Sequence, residues 1–327
     1  MLTKLFNSKR RTLALAIAAA MVLPGAALAQ GSKGPVRLVV PYAAGGLPDT
    51  VARMLAQRLT ETTGNSHIVD NRPGGNGAVA AANLATSPTD GDTLLVTDGS
   101  MLTINPLTNK KLPYDPVNGF VPVSLVATSP LFLAINSSVK ANTLEEFIAL
   151  AKSKPGQLNI GSSGIGSSHH LTAEAMKAGL GIFMTHIPYR GSGASVPALV
   201  GNQVDAVFSA YPSLAAFAKN GQVKILATNS LKRSSLAPNV PALSEKIPNF
   251  DFAVQVVVLA PKGTPNEAVQ RISAEIAKLA KRQDVIDNMK VAGIEMVGGG
   301  PAQAAQSLDA ERKRMAAAAK AANLQPE

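Results

Sequence analysis

The chain has 327 residues, a formal net charge of +10 and no cysteine. Without cysteine it cannot form disulfides, thiolate metal sites or a cysteine nucleophile. The basic charge does not indicate a nucleic-acid-binding protein, because Trp is absent and aromatic residues make up only 4% of the chain. Much of the positive charge lies in alanine-rich helical patterns near the C-terminus. The charge would favour an anionic ligand only where a cleft concentrates it.

Residues 1–29 predict a secretory signal that is cleaved after Ala29. A basic segment precedes the uncharged apolar run 13–23, and Ala27-Leu28-Ala29 is a typical cleavage site. A membrane anchor is less favoured, because the apolar run is short and is followed by Pro24-Gly25. We therefore expect an exported, periplasmic protein whose 298 remaining residues suffice for two lobes. Arg10-Arg11 leaves Sec and twin-arginine export both open.

The first unit of the mature chain has the pattern of an anion-binding turn. An apolar strand at 36–40 leads through Gly45-Gly46 into a helix whose apolar residues recur at four-residue spacing. Glycines allow close approach of backbone amides, and a helix N-terminus adds partial positive charge. Asp49 either caps this helix or faces a ligand.

The same pattern repeats along the chain. Strands at 66–69 and 93–97 also end in small or polar residues, and the second is followed by Asp98-Gly99-Ser100. Repeated strand, turn and helix units are typical of an open, doubly wound α/β sheet that binds ligands at the carboxyl ends of its strands. Each of two lobes is predicted to contain such a sheet. We assign 30–125 with 230–327 to the first lobe and 126–229 to the second, with a ligand cleft between them.

The second lobe repeats the glycine turn with hydroxyl groups. A short strand at 158–160 precedes Gly161-Ser162-Ser163-Gly164-Ile165-Gly166-Ser167-Ser168 and then a helix. Such a turn offers amides and hydroxyls to an anion without formal charge. His170 beside it has either a packing or a ligand-binding role. Tyr189 is interpreted as a cleft-wall residue, and Arg190 as either a surface charge or a carboxylate clamp.

Catalytic and metal-binding motifs are weak in this chain. The turn fails the nucleophile-elbow pattern because Ile165 stands in its last glycine position, and no glycine loop carries a Walker lysine. No two of the four histidines are spaced i, i+4, so we expect neither a metal site nor a cofactor. The candidate catalytic set of an exported α/β hydrolase or isomerase would be Ser163 or Ser167 with His170.

Several motifs in a fixed order resemble one family. The chain is similar to the Bug family of extracytoplasmic solute receptors of tripartite tricarboxylate transporters, over essentially all of the mature sequence. The motifs that carry the resemblance are Val40-Pro41-Tyr42-Ala43-Ala44-Gly45-Gly46 with Asp49, Asn71-Arg72-Pro73-Gly74, Asp90-Gly91 with Thr93-Leu94, and the segments 161–171, 186–191, 201–205 and 260–265.

The resemblance implies a periplasmic binding protein of two lobes, type II-like, without catalytic activity. We expect the protein to be a monomer. Such a receptor closes by a hinge motion on a small organic acid and delivers it to membrane permease subunits. The family's ligand contacts, largely backbone groups and bridging waters, carry over to 42–49, faced by 162–170 and Tyr189-Arg190. A ligand sensor that acts on a signalling partner is an alternative that the sequence does not separate from transport. The predicted ligand-binding residues are Tyr42, Ala44, Gly45, Gly46, Asp49, Ser100, Ser163, Gly164, Ser167, His170, Tyr189, Arg190 and Asp205.

Overall fold

The computed structural model describes residues 34–42, 44–189 and 191–326. The predicted signal segment 1–29 and the candidate Arg190 lie outside the described residues. Two β-sheets, each covered by helices, organise the described part of the chain. We call the part built on the six-stranded sheet the first lobe and the part built on the five-stranded sheet the second lobe.

The first lobe combines parallel and antiparallel strands in the order β11-β4-β10-β3-β1-β2. Strand β1 pairs in parallel with β2 and β3, whereas β10 runs antiparallel to β3 and β4, and β11 runs antiparallel to β4. The strands are β1 (Val36–Val40), β2 (His67–Asn71), β3 (Thr93–Thr97), β4 (Phe120–Ser129), β10 (Val254–Pro261) and β11 (Glu295–Gly299).

Helices cover both faces of this sheet. Helix α1 fits its predicted apolar spacing, because Val51, Leu55 and Leu59 are buried on one side against the sheet. The helices of the first lobe are α1 (Leu47–Thr63), α2 (Ala78–Ala85), α3 (Ser100–Thr103), α4 (Asn105–Thr108), α9 (Asn266–Ala280), α10 (Gln283–Val291) and α11 (Pro301–Ala321).

The second lobe has the strand order β7-β6-β8-β5-β9. Strand β6 pairs in parallel with β7 and β8, and β5 runs antiparallel to β8 and β9. Its strands are β5 (Leu131–Asn136), β6 (Asn159–Ser162), β7 (Thr185–Pro188), β8 (Ala206–Ala210) and β9 (Val223–Thr228). Its helices are α5 (Leu144–Ser153), α6 (Ser168–Leu180), α7 (Ser192–Val200) and α8 (Tyr211–Lys219).

The two crossings between the sheets are hydrogen-bonded to each other through Asn229. Only Pro130 separates β4 from β5, and Asn229 follows β9 directly. The fully buried Asn229 side chain accepts from the Leu131 amide at 2.8 Å and donates to the Phe252 carbonyl at 2.6 Å. One amide side chain therefore holds the outgoing and returning strands together where the lobes join.

The last helix packs against both hydrophobic cores. Ala304 and Leu308 in α11 belong to a buried cluster of the first lobe, whereas Met315 and Ala318 near its end belong to the core of the second lobe. The helix thus spans the joint between the lobes.

The predicted two-lobed α/β architecture is confirmed, and most predicted elements lie within a few residues of their expected positions. Thr143 caps α5 as expected, its side chain accepting from the Glu146 amide. The sheets are mixed, and the sequence analysis missed β11, whose glycines are poor strand formers and which is stabilised by pairing with β4. Among the described residues, no helix has the length and apolar character needed to span a bilayer.

Candidate functional site

A cavity of about 610 Å³ lies between the two lobes. We call it the cleft. Both glycine turns identified in the sequence contribute to its wall, together with the end of β3 and the starts of α6, α7 and α8. Its lining residues include Tyr42, Gly45, Gly46, Leu47, Pro48, Asp98 and Ser129 from the first lobe and Ser163, Ser168, His169, Gly191, Ser192, Pro212 and Ser213 from the second.

The first turn is held in place by the carboxylate of Asp49. Asp49 lies at the third position of α1, behind the N-cap Gly46, and is 1% exposed. One carboxylate oxygen accepts from the Gly45 amide and from Arg53 Nε, both at 2.8 Å, and the other accepts from Asn71 Nδ2 at 2.9 Å. Burial alone would raise the pKa of Asp49, but these hydrogen bonds lower it below its usual value. The carboxylate stabilises the turn and does not line the cleft.

Gly45 has a conformation that glycine adopts most easily. Its φ is +91°, and a side chain at this residue would have no protein atom within 4 Å. The constraint is therefore in the backbone, which turns so that the Gly45 amide meets Asp49. Gly46 has φ −79° and ψ 172°, which any residue adopts, and it lines the cleft.

A tyrosine and an aspartate form the polar end of the cleft in the first lobe. The Tyr42 hydroxyl donates to Asp98 Oδ1 at 2.7 Å, and the Ser100 amide donates to the same oxygen at 3.0 Å. Burial raises the pKa of Asp98, against the effect of these two donors. Burial, with the negative charge of Asp98, raises the pKa of Tyr42 well above its usual value. Tyr42 therefore keeps its proton and donates a hydrogen bond to the Asp98 carboxyl.

The second turn presents hydroxyl groups and a neutral imidazole. Ser163 Oγ lies 2.9 Å from His169 Nδ1, and both residues line the cleft. Burial lowers the pKa of His169 to about 4, so the ring is neutral at pH 7. Behind the turn, Ser162 Oγ lies 2.6 Å from His186 Nε2, and burial lowers the pKa of His186 to about 4 as well. The turn is therefore organised by hydrogen bonds between neutral groups.

His170 lies behind this turn and not in the cleft lining. It is 5% exposed, its Nδ1 accepts from the Gly166 amide at 3.1 Å, and its ring stacks on His186 with centroids 3.9 Å apart. Its Nε2 lies 3.5 Å from Glu174, which also pairs with Lys177 at 2.7 Å. These contacts give His170 a role in fixing the second turn.

The structure brings only part of the predicted set together at the cleft. Tyr42, Gly45, Gly46 and Ser163 line it. Gly164 and Ser167 line a different cavity of about 770 Å³ on the other side of the second turn, and Ser163 borders both cavities.

The remaining candidates lie elsewhere. Ala44 is exposed on the first turn, Ser100 is buried beneath Asp98, and Tyr189 packs against the core of the second lobe. Asp205 accepts from the Asn159 amide at 2.7 Å. Because Asn159 begins β6 and the cleft lies at the other end of that strand, Asp205 is remote from the cleft.

Sequence reasoning missed Asp98, His169 and several serines as cleft residues. Asp98 had a signal, because it follows β3 directly and polar residues at strand ends collect at the ligand-binding edge of an α/β sheet. No signal in the sequence distinguished His169 from His170, because only the orientation of the first turn of α6 decides which of the two rings faces the cleft. Ser192 and Ser213 become neighbours of the cleft through the folding of α7 and α8.

The serine–histidine pair of the enzyme alternative does not form. Ser163 contacts His169, whereas Ser167 caps α6 by accepting from the His170 amide and donates to the Gly164 carbonyl at 2.7 Å. Neither hydroxyl meets the His170 ring, so no base is placed to activate them through that residue. Within the described ranges, no group of three or more His, Asp or Glu side chains is placed to hold a metal ion.

The chain is similar to known proteins over most of its length. The family described as "Tripartite tricarboxylate transporter family receptor" matches residues 51–324. The protein BugT of Bordetella pertussis is 32% identical over 271 residues, which is 82% of this chain and 83% of BugT.

Two solved structures share the fold and were determined with organic acids. Rpa4515 of R. palustris with adipate has a TM-score of 0.78 and 31% identity, covering 90% of this chain and 98% of that one. MatC of Rhodopseudomonas palustris with bound malate has a TM-score of 0.71 and 28% identity, covering 87% and 98%. These relatives are periplasmic solute receptors and not enzymes. The chain belongs to the tripartite tricarboxylate transporter receptor family.

Proposed function

We propose that this receptor captures a small carboxylate in the cleft, closes on it, and delivers it to the membrane permease of a tripartite transporter. The observation that carries the proposal is a cavity walled from both lobes by a glycine turn and a serine-rich turn. Amide and hydroxyl donors stabilise an anion in a cavity from which most water is excluded. The cavity volume of about 610 Å³ suits a small molecule.

Closure follows from the way the lobes are joined. The chain crosses between the sheets at Pro130 and Asn229, which lie next to each other in the fold, so few backbone angles need to change for the lobes to move. A ligand that contacts both turns binds the closed form better than the open form and shifts the equilibrium towards it. Helix α11, which packs on both cores, would bend or slide during this motion.

Export and lobe assignment complete the proposal. The segment 1–29 would direct the protein to the periplasm and be removed after Ala29, and the receptor would act as a monomer. The division into 30–125 with 230–327, and 126–229, stays a prediction, as does a carboxylate-clamping role for Arg190.

The test is a thermal-shift and calorimetric screen of the mature protein with mono-, di- and tricarboxylates, each matched with its neutral amide. A bound acid is expected to stabilise the native protein by RT ln(1 + [L]/Kd) and so to raise its melting temperature. The matching neutral amide is not expected to raise it. Stabilisation by the neutral compounds alone would contradict the proposal.

A variant pair locates the site. Gly46→Val is expected to weaken binding at least tenfold with a small loss of stability, because valine fits the backbone of Gly46 but fills the approach to the cleft. Gly34→Val, at an exposed position with no atom within 4 Å, is the control and should bind as the original protein does. A deletion strain then separates transport from sensing, since loss of induction with intact uptake would favour the sensor.

A further inference from the structure

We propose that the cavity of about 770 Å³ on the other side of the second turn binds a neutral polyhydroxylated molecule, an open-chain polyol above all. We call it the second cavity. It is distinct from the cleft, so the inference goes beyond the proposed carboxylate binding. Three observations carry it: the walls come from both lobes, the described lining has no formal charge, and two amide oxygens on one wall are free to accept hydrogen bonds.

Both lobes contribute to the second cavity. Asn76 and α4 with Asn109 form the wall from the first lobe, and the segment 163–167 of the second turn forms the opposite wall. The segment 323–325, which follows α11, also borders it. The volume of the cavity falls in the range of small-molecule sites. A molecule of several carbon atoms can therefore contact both lobes at once.

No residue of the described lining carries a formal charge. The polar side chains are carboxamides and hydroxyls, which both donate and accept hydrogen bonds. An ionic ligand would lose hydration there without meeting an opposite charge, whereas the hydroxyls of a polyol are matched by such groups. The carboxamides are those of Asn76, Asn105, Asn109, Asn323 and Gln325.

A chain of hydrogen bonds fixes which atom of Asn76 is free. The Tyr114 hydroxyl donates to the Met101 carbonyl at 2.6 Å, so it accepts from Asn105 Nδ2 at 3.0 Å. Asn105 is 1% exposed and turns its Oδ1 towards Asn76, whose Nδ2 donates to it at 2.8 Å. Within the described residues no donor meets Asn76 Oδ1, which can therefore accept a hydrogen bond from a ligand.

Asn109 has the same arrangement at the end of α4. Its Nδ2 donates to the Asn105 carbonyl at 3.1 Å and to Thr108 Oγ1 at 2.9 Å, and no donor in the described part of the chain meets its Oδ1. Two free amide oxygens on one wall favour a ligand that brings hydrogen-bond donors. A carboxylate brings none, so this wall selects hydroxyl groups and not the acid expected in the cleft.

Ile165 gives the opposite wall an apolar surface. It lies between Gly164 and Gly166 at the tip of the second turn, lines the second cavity and is 70% exposed. The carbon skeleton of a polyol carries C–H groups between its hydroxyls, and these can cover an aliphatic side chain while the hydroxyls bond to the amides opposite. A wall of amides facing one aliphatic side chain fits a polyol better than a fully polar solute such as urea.

The experiment is isothermal titration of the mature protein with glycerol, xylitol, sorbitol and glucose. We expect saturable binding, with xylitol or sorbitol bound about threefold or more tighter than glycerol, because the longer chain adds a hydrogen bond on the second wall. Glucose distinguishes a ring from an open chain, and either preference supports the neutral polyhydroxyl class. Glucamine, which is sorbitol with one hydroxyl replaced by an ammonium group, should bind more weakly than sorbitol, because its charge has no partner there.

A matched pair of variants locates the site. Asn76→Gly removes the free amide oxygen and keeps the backbone, whose φ is +48°, and it should weaken sorbitol binding about fivefold, the value of one hydrogen bond. Asn249→Gly makes the same change at φ +60°, outside the described lining of the second cavity, and should bind sorbitol as the original protein does. Gly46→Val, which alters the cleft, should also leave sorbitol binding unchanged.

Four results would overturn the inference. They are no saturable binding of any of the four neutral compounds, equal or tighter binding of glucamine, unchanged affinity in folded Asn76→Gly, and loss of sorbitol binding in Gly46→Val, which would place the polyol in the cleft. The carboxylate screen of the cleft is a separate measurement. The proposed function can therefore fail while this inference holds, and the reverse.

Discussion

The two turns that face the cleft are held in place by different chemistry. In the first lobe a buried carboxylate, Asp49, accepts three hydrogen bonds and fixes the backbone of Gly45. In the second lobe Ser163 and His169 are held by hydrogen bonds between neutral groups. One turn is therefore fixed by charge, and the other by hydroxyl and imidazole groups.

This difference assigns separate tasks to the lobes. The second turn offers neutral hydroxyl donors, and behind it Glu174 and Lys177 pair with each other on α6. The first lobe places Asp98 in the cleft and Glu311 directly behind it. The first lobe therefore places a carboxyl group at the cleft, and the second turn places hydroxyl groups there.

The largest expected effect comes from removing the Asp49 carboxylate, which fixes the first turn. Asp49→Ala leaves the Gly45 amide and Asn71 without their acceptor, and we expect it to lower the free energy of unfolding by about 2–4 kcal/mol. Urea unfolding measures the change. The comparison variant is Arg53→Ala, which removes a largely exposed partner of the same carboxylate and should cost clearly less. Equal unfolding midpoints for the two variants would show that Asp49 does not hold the turn.

The next expected effect is a dependence of the protein's stability on pH, which Glu311 causes. Its pKa is about 8 in the folded protein against an ordinary value of 4.5, because burial and the charges of Asp98 and Asp251 outweigh those of Arg312 and Arg314. Between these two pH values the folded state holds a proton that the unfolded state has released, so the free energy of unfolding falls as pH rises.

The variant Glu311→Gln isolates this effect. This variant should lose much of the fall in the free energy of unfolding with rising pH. We expect that fall to be on the order of a few kcal/mol between pH 5 and pH 8. Melting curves across this range measure it, with the exposed Glu267→Gln as control. Parallel stability profiles for the original protein and Glu311→Gln would contradict the assignment.

The smallest expected effect distinguishes the two sides of the second turn, which border different cavities. Ser163→Ala removes a cleft hydroxyl, and we expect it to weaken ligand binding by about three- to tenfold, the value of one hydrogen bond. Ser167→Ala removes the N-cap of α6 on the opposite face and should cost about 1 kcal/mol of stability with unchanged affinity. Titration calorimetry and unfolding of both variants measure the contrast. A loss of affinity in Ser167→Ala alone would place the ligand in the other cavity.

The sequence predicted elements where local signals were strong. The apolar strand at 36–40, the helix with Val51, Leu55 and Leu59, and the Thr143 cap all rest on contacts within a few residues. Strand β11 was missed because Glu295–Gly299 becomes a strand only by pairing with β4, about 170 residues earlier. The direction of pairing, parallel or antiparallel, was likewise absent from any local pattern.

The amino-acid sequence by itself determined the family, the two glycine turns and the two-lobed α/β class, because these depend on residue order and local backbone preference. Only the tertiary structure decided which side chains of each turn face the cleft. Asp49 and His170 became supports, while Asp98 and His169 became lining residues, because a side chain's direction depends on the element against which its backbone packs. The electrostatic coupling between Asp98 and Glu311 was decided in the same way, since the two residues are over 200 residues apart in sequence and meet only in the fold.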